Sequence, residues 1–107
     1  MNKIIKEDIE TIAKDTMPDA EKFSGKTILI TGGAGFLGQY FISVFDYLNK
    51  NTFKTPCKII SADNFITGIK YWVDDNENFK SIKHDVKEPL IIDEPIDYII
   101  HAAGIAS

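Results

Sequence analysis

The sequence predicts an α/β fold, a parallel four-stranded sheet with flanking helices. Three observations carry this expectation. Short β-branched runs alternate with helical or irregular stretches, no tight hairpin signal joins any two of them, and the first run is apolar almost throughout. A parallel strand is buried on both faces, so continuous apolarity rather than alternation is its signature.

That first run is Thr27-Ile28-Leu29-Ile30-Thr31. A glycine-rich turn follows, and then Phe36, Leu37, Tyr40, Phe41, Val44, Phe45 and Leu48 recur at helical spacing to about Asn49. Asn49, Asn51 and Pro56 close this helix. Lys58 to Ala62 reads as a second strand, Phe79 to Lys83 as a third and Tyr98 to His101 as a fourth. The stretch Asn64 to Asn78 has room for a helical turn or two. Between the third and fourth strands, Pro89 and Pro95 leave little room for a full helix. Right-handed crossovers then give the spatial order 3-2-1-4. Nothing follows the fourth strand except Ala102 to Ser107, so the sheet is expected to be truncated there with an unpaired apolar edge.

Residues 1–24 differ in character from the rest. Ile5, Ile9 and Ile12 fall on one stripe of a short helix, with Lys, Glu and Asp between them. Pro18 disfavours the helical conformation in the residue before it, and Ser24-Gly25 marks the next turn. This N-terminal helix either packs across the domain surface or forms an arm that docks on a partner subunit. The pattern favours packing.

Composition narrows the function classes. The 107 residues suffice for one small domain, and the net charge of -4 argues against a nucleic-acid surface. All 12 basic residues are lysine, which removes the bidentate arginine clamp for phosphate. Backbone N–H groups and lysines remain as anion binders. The single cysteine, Cys57, cannot form an internal disulfide, as expected in a reducing compartment. No apolar run is long enough to span a membrane and the N-terminus is too acidic for a signal peptide, so a cytoplasmic location is expected.

The most informative segment is Thr31-Gly32-Gly33-Ala34-Gly35-Phe36-Leu37-Gly38, set between a strand and a helix. Glycines at 32, 35 and 38 suit a tight reversal, a backbone approach to a diphosphate and close packing of the helix on the strand. The helix N-terminus offers unpaired N–H groups and partial positive charge, with Phe36 and Leu37 as the main donors. Gly33 and Gly38 also have the spacing of a P-loop. Gln39-Tyr40 stand where that motif needs Lys-Ser/Thr, so ATPase chemistry is not expected. Asp63 ends the second strand, 25 residues after Gly38. A carboxylate there accepts from adenosine ribose hydroxyls and repels a 2′-phosphate, which selects NAD over NADP. The plain alternatives are a glycine turn that only joins two elements and an aspartate that caps a loop.

With these residues in hand, the sequence resembles the extended short-chain dehydrogenase/reductase family and its Rossmann-type fold, in particular the NAD-dependent nucleotide-sugar epimerases and dehydratases. The matching pieces are TGGAGFLG at 31–38, ADNFITG at 62–68, KHDVKEPL at 83–90 and IIHAAGIAS at 99–107. Their order and spacing look most like UDP-glucuronate decarboxylase-like members, with departures at Ile69-Lys70, in the absence of a proline from 101–107 and in the additional N-terminal helix. The resemblance implies that residues 25–107 are the N-terminal part of an NAD-binding domain and 1–24 a helical extension. It further implies that Gly32, Gly35, Phe36, Leu37 and Gly38 face the pyrophosphate, and that Asp63 and Asn64 hold the adenosine ribose with Phe65, Thr67 and Gly68 nearby. Asp85 and Val86 would meet the adenine, and Ala102, Ala103 and Gly104 would let the cofactor lie across the crevice. His101, at the end of what reads as a buried strand, His84 and Cys57 are expected to be structural, with no metal-ligand spacing among them. Tyr71-Trp72 is expected to pack rather than to stack on a ligand.

The resemblance also implies hydride transfer from C4 of a nucleotide sugar, a 4-keto intermediate and a homodimeric enzyme. Its acid/base pair, a Tyr with a Lys four residues later, does not occur here. The positions four beyond Tyr40, Tyr47, Tyr71 and Tyr98 hold Val, Asn, Asp and Ala. No catalytic residue is therefore assigned within the chain. The alternatives are a stand-alone NAD-binding regulatory module and one half of a split enzyme.

Overall fold

The computed structural model describes residues 3–16, 19–32, 34–63, 71–83, 89 and 92–102. Helix α1 (Lys3–Thr16) leads into a 3-10 turn (Asp19–Phe23) and then strand β1 (Thr27–Thr31). Helix α2 (Phe36–Asn51), β2 (Lys58–Asp63), β3 (Phe79–Lys83) and β4 (Tyr98–His101) follow. All strand pairs are parallel and the order is β3-β2-β1-β4, as the crossover rule predicts. The sheet reverses its build direction between β1 and β4.

Strand β1 shows why its sequence is apolar throughout. Ile28 and Ile30 point to one face, where they join Ile42, Phe45 and Leu48 of α2, Ile59 of β2 and Phe79 of β3. Leu29 points to the other face, with Ile60 and Ala62, beneath the partly buried Ile82, Ile92 and Ile96. Gly25 takes a left-handed conformation (φ 73°) on the way into β1, and its N–H donates to the Thr55 carbonyl at 2.9 Å.

Five expectations are revised. Strand β2 runs one residue further, to Asp63, and α2 runs two further, to Asn51. In α1 the buried residues are Ile9 and Ala13, while Ile12 is exposed at its edge. Ile9 and Ala13, four residues apart, share the side of α1 that is buried as it packs on α2. The inward face of α2 comprises Gly38, Gln39, Ile42, Ser43, Phe45 and Leu48, so Phe36 and Leu37 lie outside the core. Finally, β4 alternates partly buried and exposed residues, and His101 is exposed rather than buried. No helix occurs among the described residues between β2 and β3, where an isolated bridge pairs Asn76 with Phe79. The N-terminal helix packs on α2, and its Ala13 belongs to the main core.

Candidate functional site

In a parallel sheet the carboxyl ends of all strands lie along one edge, and ligands of open α/β sheets bind there, where the strand order reverses. Here that edge carries Gly32, Asp63 and Ala102. Gly32 leaves β1 in the left-handed region (φ 73°), where a side chain is strained, and its N–H donates to Ala62 of β2 at 2.9 Å. On the other side, Ala102 N–H donates to Thr31 at 2.9 Å. The glycine turn thus begins between the ends of β2 and β4.

Gly35 is the N-cap of α2, with extended backbone (φ -74°, ψ 170°) and no side-chain cap. The first amides of a helix lack intrahelical partners, so Phe36, Leu37 and Gly38 open α2 with donors that no capping side chain covers. The turn closes with Gly35 N–H on the Gly32 carbonyl at 3.2 Å, and α2 starts with Gln39 N–H on the Gly35 carbonyl at 2.9 Å. A Cβ built on Gly35 would meet that same Gly32 oxygen at 3.4 Å. Asp63 reaches this turn directly, its carboxylate accepting from Ala34 N–H at 3.0 Å. A diphosphate beside the α2 amides and a ribose beside Asp63 fit this donor and acceptor set.

Of the remaining predicted contacts, Asn64, Phe65, Thr67, Gly68, Asp85, Val86, Ala103 and Gly104 lie outside the described residues, as does His84. His101 Nδ1 is 2.5 Å from the Thr31 hydroxyl, a bond between the last residues of paired strands. Cys57 is fully buried, and burial pushes its thiol up to about 11, away from nucleophilic use. Tyr71 packs edge-on against Phe79 and its hydroxyl shares a 2.7 Å hydrogen bond with buried Ser61. Burial raises its pKa. Trp72 stands edge-on to Phe36 and Tyr40. No group that could hold a metal occurs among the described residues.

One residue escaped the sequence reading. Gln39 is 3% exposed and its carbonyl oxygen accepts from Trp72 N–H at 2.8 Å. A signal for it existed: Gln39 stands three residues before Ile42 on the same helix face, and a polar residue in a core position needs partners.

No helix of the described residues is long and apolar enough to cross a membrane. No family model matches the chain, and no solved structure matches it. Curated sequences do. The chain is 39% identical over 88 residues to UDP-glucuronic acid decarboxylase 6 of Arabidopsis thaliana, covering 78% of this chain and 23% of that protein. It is 41% identical over 86 residues to UDP-glucuronic acid decarboxylase 1 of Danio rerio, covering 77% and 18%. A third relative, UDP-glucuronic acid decarboxylase 2 of Arabidopsis thaliana, is 35% identical over 94 residues, covering 85% and 19%. The chain is thus similar to the UDP-glucuronic acid decarboxylases over about four fifths of its own length and spans about a fifth of theirs.

Proposed function

We propose that this chain is the NAD-binding portion of a nucleotide-sugar decarboxylase. The observation that carries the reading is the contact between Ala34 N–H and the Asp63 carboxylate, which sets the acidic strand end against the glycine turn. Bound NAD would supply a hydride acceptor for C4 of the sugar. The chain's own residues bind and orient. Gly32 and Gly35 keep side chains away from the phosphate path, the first amides of α2 donate to the pyrophosphate, and Asp63 accepts from the adenosine ribose. A carboxylate has about four lone-pair directions, so holding Ala34 and accepting from a ribose are compatible. Asn64, Phe65, Thr67, Gly68, Asp85, Val86, Ala103 and Gly104 complete the cofactor contacts in this proposal. Proton transfer would fall to a Tyr and Lys that the 107 residues do not contain in the required spacing, so this chain alone binds cofactor without turnover. The whole enzyme would act on a nucleotide sugar as a homodimer in the cytoplasm.

The sole tryptophan, Trp72, stands against Phe36 at the start of α2 and provides the readout. Titration should change its fluorescence with NAD at lower concentration than with NADP. Asp63→Ala should weaken NAD binding about tenfold, on the order of 1.4 kcal/mol, and narrow the preference. Equal affinity for NAD, NADP and buffer-matched controls would sink the reading.

A further inference from the structure

Gln39 stands where a P-loop would carry its lysine, and the proposed function gives it no task. Its surroundings do. Trp72 N–H donates to the Gln39 carbonyl oxygen at 2.8 Å, and the Gln39 amide donates to the Ala34 carbonyl over a long 3.5 Å. Ala34 N–H then donates to the Asp63 carboxylate at 3.0 Å. Trp72, Gln39, Ala34 and Asp63 therefore form one chain of hydrogen bonds.

The order of these contacts has a physical consequence. A buried glutamine swings freely unless both ends of its amide are held, and an unheld amide in the core is costly. The Trp72 bond fixes the carbonyl end and so turns the NH2 end toward Ala34. Ala34 is itself buried, and it stands between glycines in the sequence, in a turn that closes through Gly35 N–H on the Gly32 carbonyl. The glutamine thus adds a side-chain constraint to this backbone turn, on a residue whose N–H reaches Asp63.

We infer that Gln39 is a positioning residue for Asp63, and that through Ala34 it sets the discrimination between an adenosine 2′-hydroxyl and a 2′-phosphate. This rests on the NAD-binding reading. It goes beyond that reading by assigning cofactor selectivity to a buried residue to which that reading gives no cofactor contact.

The test is a cycle of Gln39→Leu, Asp63→Ala and the double variant, with NAD and NADP titrated into each by Trp72 fluorescence. Leucine keeps the bulk and the helix preference while removing the hydrogen bonds of the amide. Gln39→Leu should lower the NAD-over-NADP preference about as much as Asp63→Ala, and the double variant should add nothing further. A role confined to packing would move the thermal midpoint and leave that preference unchanged, which overturns the inference while the NAD reading stands. Additive losses in the double variant overturn it as well. If the unsubstituted chain does not bind NAD, the reading beneath it fails first. Should Gln39→Leu not fold, Gln39→Ala, which leaves room for a water, takes its place with the same expectations.

Discussion

Asn49 holds both backbone groups of one residue, Cys57, with its side chain. Its amide donates to the Cys57 carbonyl at 2.9 Å, and its carbonyl accepts from Cys57 N–H at 2.8 Å. The last turn of α2 is thereby bonded to the residue that enters β2, as a strand would be to its neighbour. Each such bond contributes about 1 kcal/mol net, more where a backbone group would otherwise be left without a partner. Asn49→Ala should therefore cost about 2 kcal/mol in urea unfolding, and Asn49→Asp, which keeps the acceptor but sets a carboxylate oxygen against the Cys57 carbonyl, should not recover that loss at neutral pH. From the sequence alone Asn49 is legible only as a helix stop. The same residue performs both tasks.

At the scale of elements, one carboxylate ties two strands to the segment that precedes β4. Glu94 is hydrogen-bonded to Lys58, the first residue of β2, and lies 3.3 Å from Lys80 of β3. The Lys58 hydrogen bond is the main cause that holds the Glu94 carboxyl below the ordinary carboxylate range, with Lys80 adding to it. A carboxyl group whose pKa is depressed in the folded state contributes stability above its unfolded pKa, about 4.3. That contribution is lost as pH falls through the folded value. The thermal midpoint of the parent chain should therefore fall more steeply below about pH 4.5 than that of Glu94→Gln. Parallel acid limbs for the two proteins would mean that the cluster contributes nothing to the linkage. The N-terminal helix belongs to this scale too, since its Asp8 accepts from the Tyr40 hydroxyl of α2 at 3.3 Å.

Taken as a whole, the sheet is covered unevenly. Helices α1 and α2 lie over one face, whereas on the opposite face, among the described residues, Ile92 and Ile96 pack with Ile82 of β3 against Leu29, Ile60 and Ala62. Ile99 pairs in register with Leu29, yet it is 66% exposed at the outer strand. An exposed apolar strand edge is a template for association. Ile99→Lys is expected to leave the melting transition nearly unchanged and to raise the concentration at which light scattering appears. Unchanged scattering would place the adhesive surface elsewhere, with Phe36, 71% exposed, as the next residue to replace.

The sequence by itself determined the four strands, their parallel order, the glycine turn and the placement of Asp63 at the tip of β2. Each of these follows from local spacing: apolar runs, glycines between a strand and a helix, and crossovers of one hand. Only the tertiary structure decided which side of α2 faces inward. The apolar stripe of α2 is wide because the helix meets the sheet on one flank and α1 on the other. Its rotation is set by those two neighbours together, and periodicity alone does not choose among the possible centres. That rotation brings Gln39 into the core and leaves Phe36 outside. In the same way, the exposure of β4 depends on what covers the sheet beyond it, a relation between distant parts of a chain that no local pattern records.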